Sequence, residues 1–134
     1  MSFCLILLAA GSSHRFKSNI PKPYQKIGGK SLIEININKA HNCKQIKKII
    51  LVYNKKDLNK VKKLKLRKIK LISGGKTRQQ STFNALKYLI KTKDISKVLI
   101  HDAARPNFSN NLLSSIIKNM KNAKAVIPKI NIQD

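Results

Sequence analysis

Short apolar runs alternate with amphipathic stretches along the sequence, and this alternation limits the possible folds more than any other feature. The runs are rich in isoleucine, leucine and valine, which favours buried strands, and the stretches between them have helical periodicity. The predicted strands are Phe3–Leu8, Lys48–Tyr53, Lys68–Ser73, Lys97–His101 and Ala125–Ile130. Strands that alternate with helices predict βαβ units, and therefore an α/β fold in which a mostly parallel sheet has helices on both faces.

Helices are predicted between these strands. They are Ser31–Asn42 with Ser31 as its N-cap, the short polar helix Lys55–Lys63, Arg78–Ile90, and a last helix that begins after Ser109. The expected inward-facing residues are Leu32, Ile33, Ile37 and Ala40 in the first helix, Phe83, Leu86, Leu89 and Ile90 in the third, and Leu112, Leu113, Ile116, Ile117 and Met120 in the last. The 134 residues suit one domain that spans 1–134.

The charge of the chain is extreme, with 29 basic residues against 5 acidic ones and a net charge of +24. A basic surface attracts nucleic acid, so a lysine-rich RNA-binding domain is one interpretation. However, arginine occurs only at positions 15, 67, 78 and 105, whereas proteins that read nucleic acid favour arginine for its bidentate contacts. We therefore favour compositional drift over nucleic-acid binding, with the charge helping a small anionic substrate to approach.

Neither the apolar start of the chain nor its cysteines indicate export. The run Phe3–Ala10 has no basic residue before it, and it is far shorter than the ~20 residues of a membrane span, so we interpret it as a buried strand rather than a signal peptide. Cys4 and Cys43 have neither metal-binding nor redox spacing. We expect a cytoplasmic protein without a membrane segment.

Three loops that follow predicted strands contain small, polar and charged residues. In parallel sheets, ligands bind beyond the carboxyl ends of the strands. Loops Gly11–Lys22, Gly74–Arg78 and Asp102–Pro106 follow the first, third and fourth predicted strands. We therefore expect these three loops to form one site.

The first loop reads Leu8-Ala-Ala-Gly-Ser-Ser-His-Arg-Phe16, and Pro21-Lys22-Pro23 follows. Small residues after a strand let the backbone approach a phosphate, and Arg15 and Lys22 supply positive charge beside it. The loop has neither the Walker A pattern nor the glycine pattern of a dinucleotide-binding fold. It predicts a phosphate site, although a simple turn with surface charges would have the same residues.

The second loop contains a glycine turn, and the third loop contains a carboxylate. The glycines in Gly74-Gly-Lys-Thr-Arg-Gln-Gln-Ser81 precede a helix, where a ligand can come close to the backbone. Asp102 follows a buried strand and is one of only 5 acidic residues, so it is a candidate ligand for Mg²⁺, with a turn cap as the alternative. We expect His101 to be structural rather than catalytic.

Together these motifs resemble the 2-C-methyl-D-erythritol 4-phosphate cytidylyltransferase family. The first loop is similar to the Leu-x-x-Gly-x-Gly-x-Arg-Met signature of sugar nucleotidyltransferases, with Ser13 and Phe16 as departures. Gly-Gly-x-x-Arg-x-x-Ser resembles the base-reading loop, with Lys76 where the family often has an acidic residue. The run His-Asp-Ala-Ala-Arg-Pro, from His101 to Pro106, matches the family letter for letter.

The resemblance implies a three-layer, Rossmann-like nucleotidyltransferase fold of the GT-A-like kind and a role for each motif. Arg15 and Lys22 would be catalytic, Arg105 would bind the substrate phosphate, and Asp102 would hold Mg²⁺. The nucleotide-binding residues would be Ala9, Ala10, Gly11, Ser12, Ser13, Gly74, Gly75, Arg78 and Ser81.

The resemblance also implies the reaction and the partners. CTP and a sugar-alcohol phosphate would be the substrates, with 2-C-methyl-D-erythritol 4-phosphate favoured over ribitol phosphate because of the Ala-Ala pair before Arg105. A homodimer is expected for the full-length family. Since family members continue well past position 134, we expect a chain truncated at its C-terminus that binds nucleotide but turns over poorly. An inactive remnant is the other possibility.

Overall fold

A four-stranded parallel sheet forms the centre of the computed structural model, which describes residues 1–11 and 18–131. The strands are β1 (Phe3–Ala9), β2 (Lys26–Ile27), β3 (Lys30–Ser31), β4 (Ile46–Tyr53), β5 (Ile69–Ser73) and β6 (Lys97–Asp102). The order in the main sheet is β5-β4-β1-β6, and β2 and β3 form a separate antiparallel hairpin. Every residue of β1 is buried, which explains why its sequence is an unbroken apolar run.

Helices cover both faces of the sheet. They are α1 (Leu32–His41), α2 (Leu58–Lys63), α3 (Arg78–Ile90) and α4 (Asn110–Asn119). Alternate β1 residues Leu5 and Leu7 pack in a cluster with Ile37 of α1, while Ile6 packs on the opposite face with Leu89 of α3. The predicted α/β class, with a parallel sheet between two layers of helices, is confirmed.

Two of the predicted N-caps are present. The Oγ atom of Ser31 accepts a hydrogen bond from the N–H of Glu34 at 3.1 Å, and the Glu34 carboxylate accepts one from the N–H of Ser31 at 2.7 Å, so α1 begins with a capping box. The Oγ atom of Ser109 accepts from the N–H of Leu112 at 3.0 Å and caps α4. These short polar contacts fix where each helix begins.

The predicted inner face of α3 was half right. Leu89 is buried and Leu86 packs against the core, but Phe83 is 56% exposed and Ile90 is 76% exposed. The residues that α3 buries are Ser81, Ala85 and Leu89. These three residues recur every fourth position and so form one row along the helix, whereas Phe83 and Ile90 lie on the opposite side. The small side chains of Ser81 and Ala85 therefore lie on the buried side of α3.

The predicted fifth strand, Ala125–Ile130, was also wrong. These residues have no regular secondary structure, and Ile127 and Ile130 are 85% and 91% exposed. Pro128 interrupts the segment and has no N–H to donate to a strand ladder. The β2–β3 hairpin was not predicted. Its two-residue turn is Gly28-Gly29, both with positive φ (58° and 82°), as this type of turn requires.

The register of the sheet brings the carboxyl ends of its strands together. Ala9 at the end of β1 pairs with Tyr53 of β4, Tyr53 pairs with Ser73 of β5, and Leu8 pairs with Asp102 of β6. The segments that leave these four strands therefore start from one edge of the sheet. No helix in the described part of the chain is long and apolar enough to cross a membrane.

Candidate functional site

A cleft of about 1460 Å³ lies at this edge of the sheet. Every predicted site residue that the structure describes lines it: Ala9, Ala10, Gly11, Lys22, Gly74, Gly75, Arg78, Ser81, Asp102 and Arg105. Ser12, Ser13 and Arg15 lie outside the described residues. The sheet thus brings the described residues of the three predicted loops to one place, although the loops are distant in sequence.

The start of the first loop is held by a side chain from the neighbouring strand end. The amide of Asn54, directly after β4, donates a hydrogen bond to the carbonyl of Ala10 at 3.2 Å. Ala9 is buried, whereas Gly11 is exposed to the cleft. The backbone therefore turns into the cleft at Ala10 in a fixed position.

Lys22 reaches the cleft from a buried anchor. It begins a short 3-10 turn, Lys22–Tyr24, in which Pro23 and Tyr24 are buried and Lys22 is exposed. Burial raises the pKa of the Tyr24 phenol well above its ordinary value, with Asp57 adding to the effect, so the ring stays neutral in the core. The buried pair fixes the backbone of Lys22 while its ammonium group faces the cleft.

The two glycines after β5 lie where the backbones of the site come closest together. A Cβ atom added to Gly74 would lie 2.3 Å from Cβ of Ala10 and 2.8 Å from Oγ of Ser81, so the position requires glycine. The N–H of Gly74 donates to the carbonyl of Tyr53 at 2.7 Å, and the N–H of Gly75 donates to Oγ of Ser81 at 3.1 Å. The N–H groups of both glycines are therefore engaged inside the protein.

The N-terminus of α3 faces the cleft. Thr77 is its N-cap and accepts a hydrogen bond from the N–H of Gln80 at 3.0 Å. Thr77, Arg78, Gln80 and Ser81 all line the cleft. The unpaired N–H groups and the helix dipole at such an end favour a negatively charged ligand.

Asp102 lies between two arginines from different loops. Its Oδ1 is 3.2 Å from Nε of Arg78, and its Oδ2 is 3.6 Å from Nε of Arg105. The two arginine side chains remain 64% and 77% exposed, and the carboxylate is 35% exposed. The carboxylate therefore links α3 to the loop after β6 and leaves both guanidinium groups accessible from the cleft.

The charge of the cleft lining is strongly positive. Among the described lining residues, Asp102 is the only acidic one, while the basic ones are Lys22, Lys55, Lys56, Lys76, Arg78 and Arg105. A concave surface with this excess of cations attracts anions over a distance and stabilises them when they are bound. The arrangement suits a ligand with several negative charges, such as a triphosphate.

Some lining residues were missed by sequence reasoning. Asn54, Lys55 and Lys56 follow β4, which is a strand end like the other three. The rule that ligands bind beyond the carboxyl ends of parallel strands would have found them, but it was applied only to the loops with recognisable motifs. The amide of Asn84, which donates to the carbonyl of Ser73 at 3.2 Å, has no comparable sequence signal.

His101 contacts protein groups rather than the cleft. Its Nε2 lies 2.6 Å from the carbonyl oxygen of Arg105, and its ring packs edge-on against Phe108 with the centroids 4.9 Å apart. Since a carbonyl only accepts, Nε2 carries the proton in this contact. These contacts agree with the structural role predicted for His101.

Two sequence relatives indicate one family. The sequence profile of the family described as IspD, 2-C-methyl-D-erythritol 4-phosphate cytidylyltransferase, matches residues 3–134. The bifunctional enzyme IspD/IspF of Pelagibacter ubique is 48% identical over 134 residues, covering 100% of this chain and 36% of the relative. The 2-C-methyl-D-erythritol 4-phosphate cytidylyltransferase of Thermosipho africanus is 36% identical, covering 96% of this chain and 58% of the relative.

Solved structures give the same result. The 4-diphosphocytidyl-2C-methyl-D-erythritol synthase from Anaerococcus prevotii superposes with a TM-score of 0.73 and 30% identity, covering 97% of this chain and 59% of that one. The bifunctional IspDF from Campylobacter jejuni superposes with a TM-score of 0.74 and 29% identity, covering 90% and 31%. The chain thus spans between about a third and three fifths of the length of these relatives.

Replacing Gly74 by alanine tests how tightly the loops meet. The new Cβ would clash with Ala10 and Ser81, so we expect Gly74→Ala to lower the free energy of unfolding by ~1–3 kcal/mol, the usual cost of overpacking. Urea denaturation measures this change. Gly11→Ala is the control, because no atom of residues 1–11 and 18–131 lies within 4 Å of a Cβ at Gly11. Equal stability of the two variants would show that the loops are not packed as described.

Proposed function

Because this chain belongs to the 2-C-methyl-D-erythritol 4-phosphate cytidylyltransferase family, we propose that its cleft binds CTP and transfers the cytidylyl group to 2-C-methyl-D-erythritol 4-phosphate. The products are 4-diphosphocytidyl-2-C-methyl-D-erythritol and pyrophosphate. One observation supports this proposal most strongly: described residues from three family-like loops line one cleft that is rich in lysine and arginine. In this reaction a phosphate oxygen of the alcohol phosphate attacks the α-phosphorus of CTP, the bond from that phosphorus to the bridging oxygen breaks, and pyrophosphate leaves.

The proposed chemistry needs no protein nucleophile, so positioning and charge stabilisation must supply the catalysis. Lys22 and Arg15 would stabilise the negative charge at the α-phosphate and on the leaving pyrophosphate. The buried anchor at Tyr24 supports this role for Lys22, since a fixed cation stabilises a transition state without reorganising. Lys55 and Lys56 also line the cleft and add positive charge to it.

The glycine loop after β5 would read the base. With the N–H groups of Gly74 and Gly75 engaged inside the protein, their carbonyl oxygens are suited to accept from an amino group. Cytosine presents such a donor at N4, whereas uracil presents an acceptor at the same place. This polarity supports CTP over UTP. Ser81 accepts from Gly75, and its hydroxyl hydrogen remains able to donate.

The donor set around Asp102 fits Mg²⁺ that arrives with a triphosphate. Within residues 1–11 and 18–131 there is no group of three or more His, Cys, Asp or Glu side chains that would hold a metal by itself. Mg²⁺ usually needs only one or two carboxylates when phosphate oxygens and water complete its shell. Each oxygen of Asp102 faces one guanidinium and has a lone pair left. The ion would neutralise charge on the phosphates.

Two further properties are part of the proposal. A cytoplasmic location is supported by the free thiols of Cys4 and Cys43, since secreted proteins of this size commonly pair their cysteines. Burial raises the pKa of the Cys4 thiol to about 12, which keeps it unreactive. We also propose a homodimer for the full natural polypeptide, as the family resemblance implies.

Pyrophosphate release tests the proposed reaction directly. With the full natural polypeptide and Mg²⁺, we expect release from CTP with 2-C-methyl-D-erythritol 4-phosphate, and little release with ribitol phosphate or with ATP, GTP or UTP. If ribitol phosphate is preferred, the protein is instead a ribitol-phosphate cytidylyltransferase. If no nucleotide is consumed and RNA binds with an affinity that falls steeply with salt, the basic surface serves RNA instead.

Removing the charges nearest the proposed reaction should slow turnover without unfolding the protein. We expect Lys22→Ala and Arg15→Ala each to lower kcat by ~10²–10³, the usual loss for one preorganised charge contact to a transition state. The control is Lys26→Ala, because Lys26 is exposed in the following hairpin and does not line the cleft. Near-normal turnover in the Lys22 or the Arg15 variant would remove that residue from the mechanism.

Asp102→Asn separates a metal role from a purely ionic role. We expect the Mg²⁺ concentration needed for half-maximal thermal stabilisation by CTP to rise about tenfold or more, because a neutral amide is a poor ligand for a hard cation. Asp94→Asn is the matched control, since Asp94 is also ion-paired, with Lys48 at 3.2 Å, but is outside the cleft. If the Mg²⁺ requirement is unchanged, Asp102 is not a metal ligand and serves only to form ion pairs with Arg78 and Arg105.

A further inference from the structure

The loop between β6 and α4 is held by side chains that bond its carbonyl groups. This segment, called the 103–108 loop, carries Arg105 and has no helix or strand in its six residues. The carbonyl oxygens of Ala103, Arg105, Pro106 and Phe108 all accept hydrogen bonds from side chains. The donors come from α1 and from the end of β6, so the loop depends on groups distant in sequence.

Asn36 provides the first of these contacts from within the core. It is 0% exposed on α1, and its Nδ2 donates to the carbonyl of Ala103 at 2.9 Å. The neighbouring residues Ile33 and Ile37 are apolar and buried, so an apolar side chain would suit the packing at position 36. A buried amide is costly unless it makes hydrogen bonds. Its contact with the 103–108 loop gives a physical reason for an asparagine here.

Lys39 provides two more contacts from the next turn of the same helix. Residues three apart lie on one helix face, and the Nζ atom of Lys39 donates to the carbonyls of Pro106 and Phe108, the latter at 3.1 Å. The same atom lies 5.1 Å from the centroid of the Phe108 ring, within range of a cation–π interaction. Hydrogen bonds from a charged donor are stronger than neutral ones. Lys39 therefore stabilises the C-terminal part of the loop, at Pro106 and Phe108.

The directions of these bonds determine where Arg105 lies. With its carbonyl groups turned toward α1 and toward His101, the loop presents the Arg105 side chain on the cleft side. There the guanidinium is 77% exposed and lies beside Asp102. The side chains of α1 thus hold the loop from behind, while its front carries the cation expected to meet the acceptor phosphate.

Resting on the function proposed above, we propose that Asn36 and Lys39 are positioning residues for the acceptor half of the reaction. Neither residue lines the cleft. They fix the 103–108 loop so that Arg105 is in place for the phosphate of the alcohol substrate. The residues that the family resemblance assigns to the nucleotide lie mainly in the segments after β1 and β5, so we expect loss of this support to affect the acceptor and to leave CTP binding nearly unchanged.

Lys39→Met tests the proposal without opening the core, because Lys39 is only half-buried and methionine keeps a flexible apolar stem against Phe108. In the full natural polypeptide we expect KM for the alcohol phosphate to rise about tenfold or more, with KM for CTP within about twofold. Amide hydrogen exchange of the 103–108 loop should become faster. Lys39→Arg, which keeps a charged donor, should restore most of both properties.

Lys87→Met is the matched control. Lys87 also lies over an aromatic ring, 5.4 Å from the centroid of Phe83, but it is on the exposed side of α3 and does not line the cleft. We expect it to leave both KM values and exchange in the 103–108 loop unchanged. Asn36→Leu, which keeps the branching at Cγ but is larger and cannot donate a hydrogen bond, should change the same two quantities as Lys39→Met and in the same direction.

Three results would overturn the proposal: an unchanged KM for the alcohol phosphate in Lys39→Met, equal rises in both KM values, or unchanged exchange in the loop. Equal rises would mean a general loss of structure rather than positioning of Arg105. Failure of the proposed function is a separate result, namely an unmodified protein that releases no pyrophosphate with any alcohol phosphate. In that case the exchange comparison still decides whether Lys39 holds the loop.

Discussion

The parallel register of the sheet is the constraint on which the site depends. β1 lies between β4 and β6 and has helices on both faces, so all seven of its residues are buried. Each large apolar side chain buried in this way contributes about 1.5–3 kcal/mol to the free energy of folding. A shift in the register of β1 would expose some of these side chains or move them out of their packing positions. Because the register is fixed, the ends of four strands meet, and residues as distant in sequence as Gly11, Gly74 and Asp102 line one cleft.

Much of this could be predicted from the sequence because the decisive signals are local. The apolar runs predicted all four strands of the main sheet, and the Ser31 cap predicted the start of α1. The family-like motifs predicted which loops form the site. The failures occurred where tertiary packing decides. In α3 the buried row contains Ser81 and Ala85, while the larger Phe83 is exposed. The spacing of apolar residues does not reveal the inner side of a helix where small or polar residues occupy that side.

The support of the site could not be predicted for the same reason. Asn36 and Lys39 look like an ordinary polar position and an ordinary surface lysine in a lysine-rich chain, and their partners are 67 or more residues away. A local pattern contains no information about such contacts. The ion pairs of Asp102 are similar: the motif placed Asp102 and Arg105 together, but Arg78 reaches the same carboxylate from another loop. The cleft thus combines family-like motifs with side chains from distant parts of the sequence that contact them.

The central claim is that segments after different strands form one CTP site. The most direct measurement is a titration of the ¹⁵N-labelled protein with CTP and Mg²⁺, following backbone amide signals by NMR. We predict that the largest shifts fall together at Ala10 and Gly11, at Gly74–Ser81 and near Asp102, with one common dissociation constant. Shifts spread instead over the lysines of α2 and β5, and lost together on adding salt, would contradict the account, because they would indicate a general attraction of anions to a basic surface.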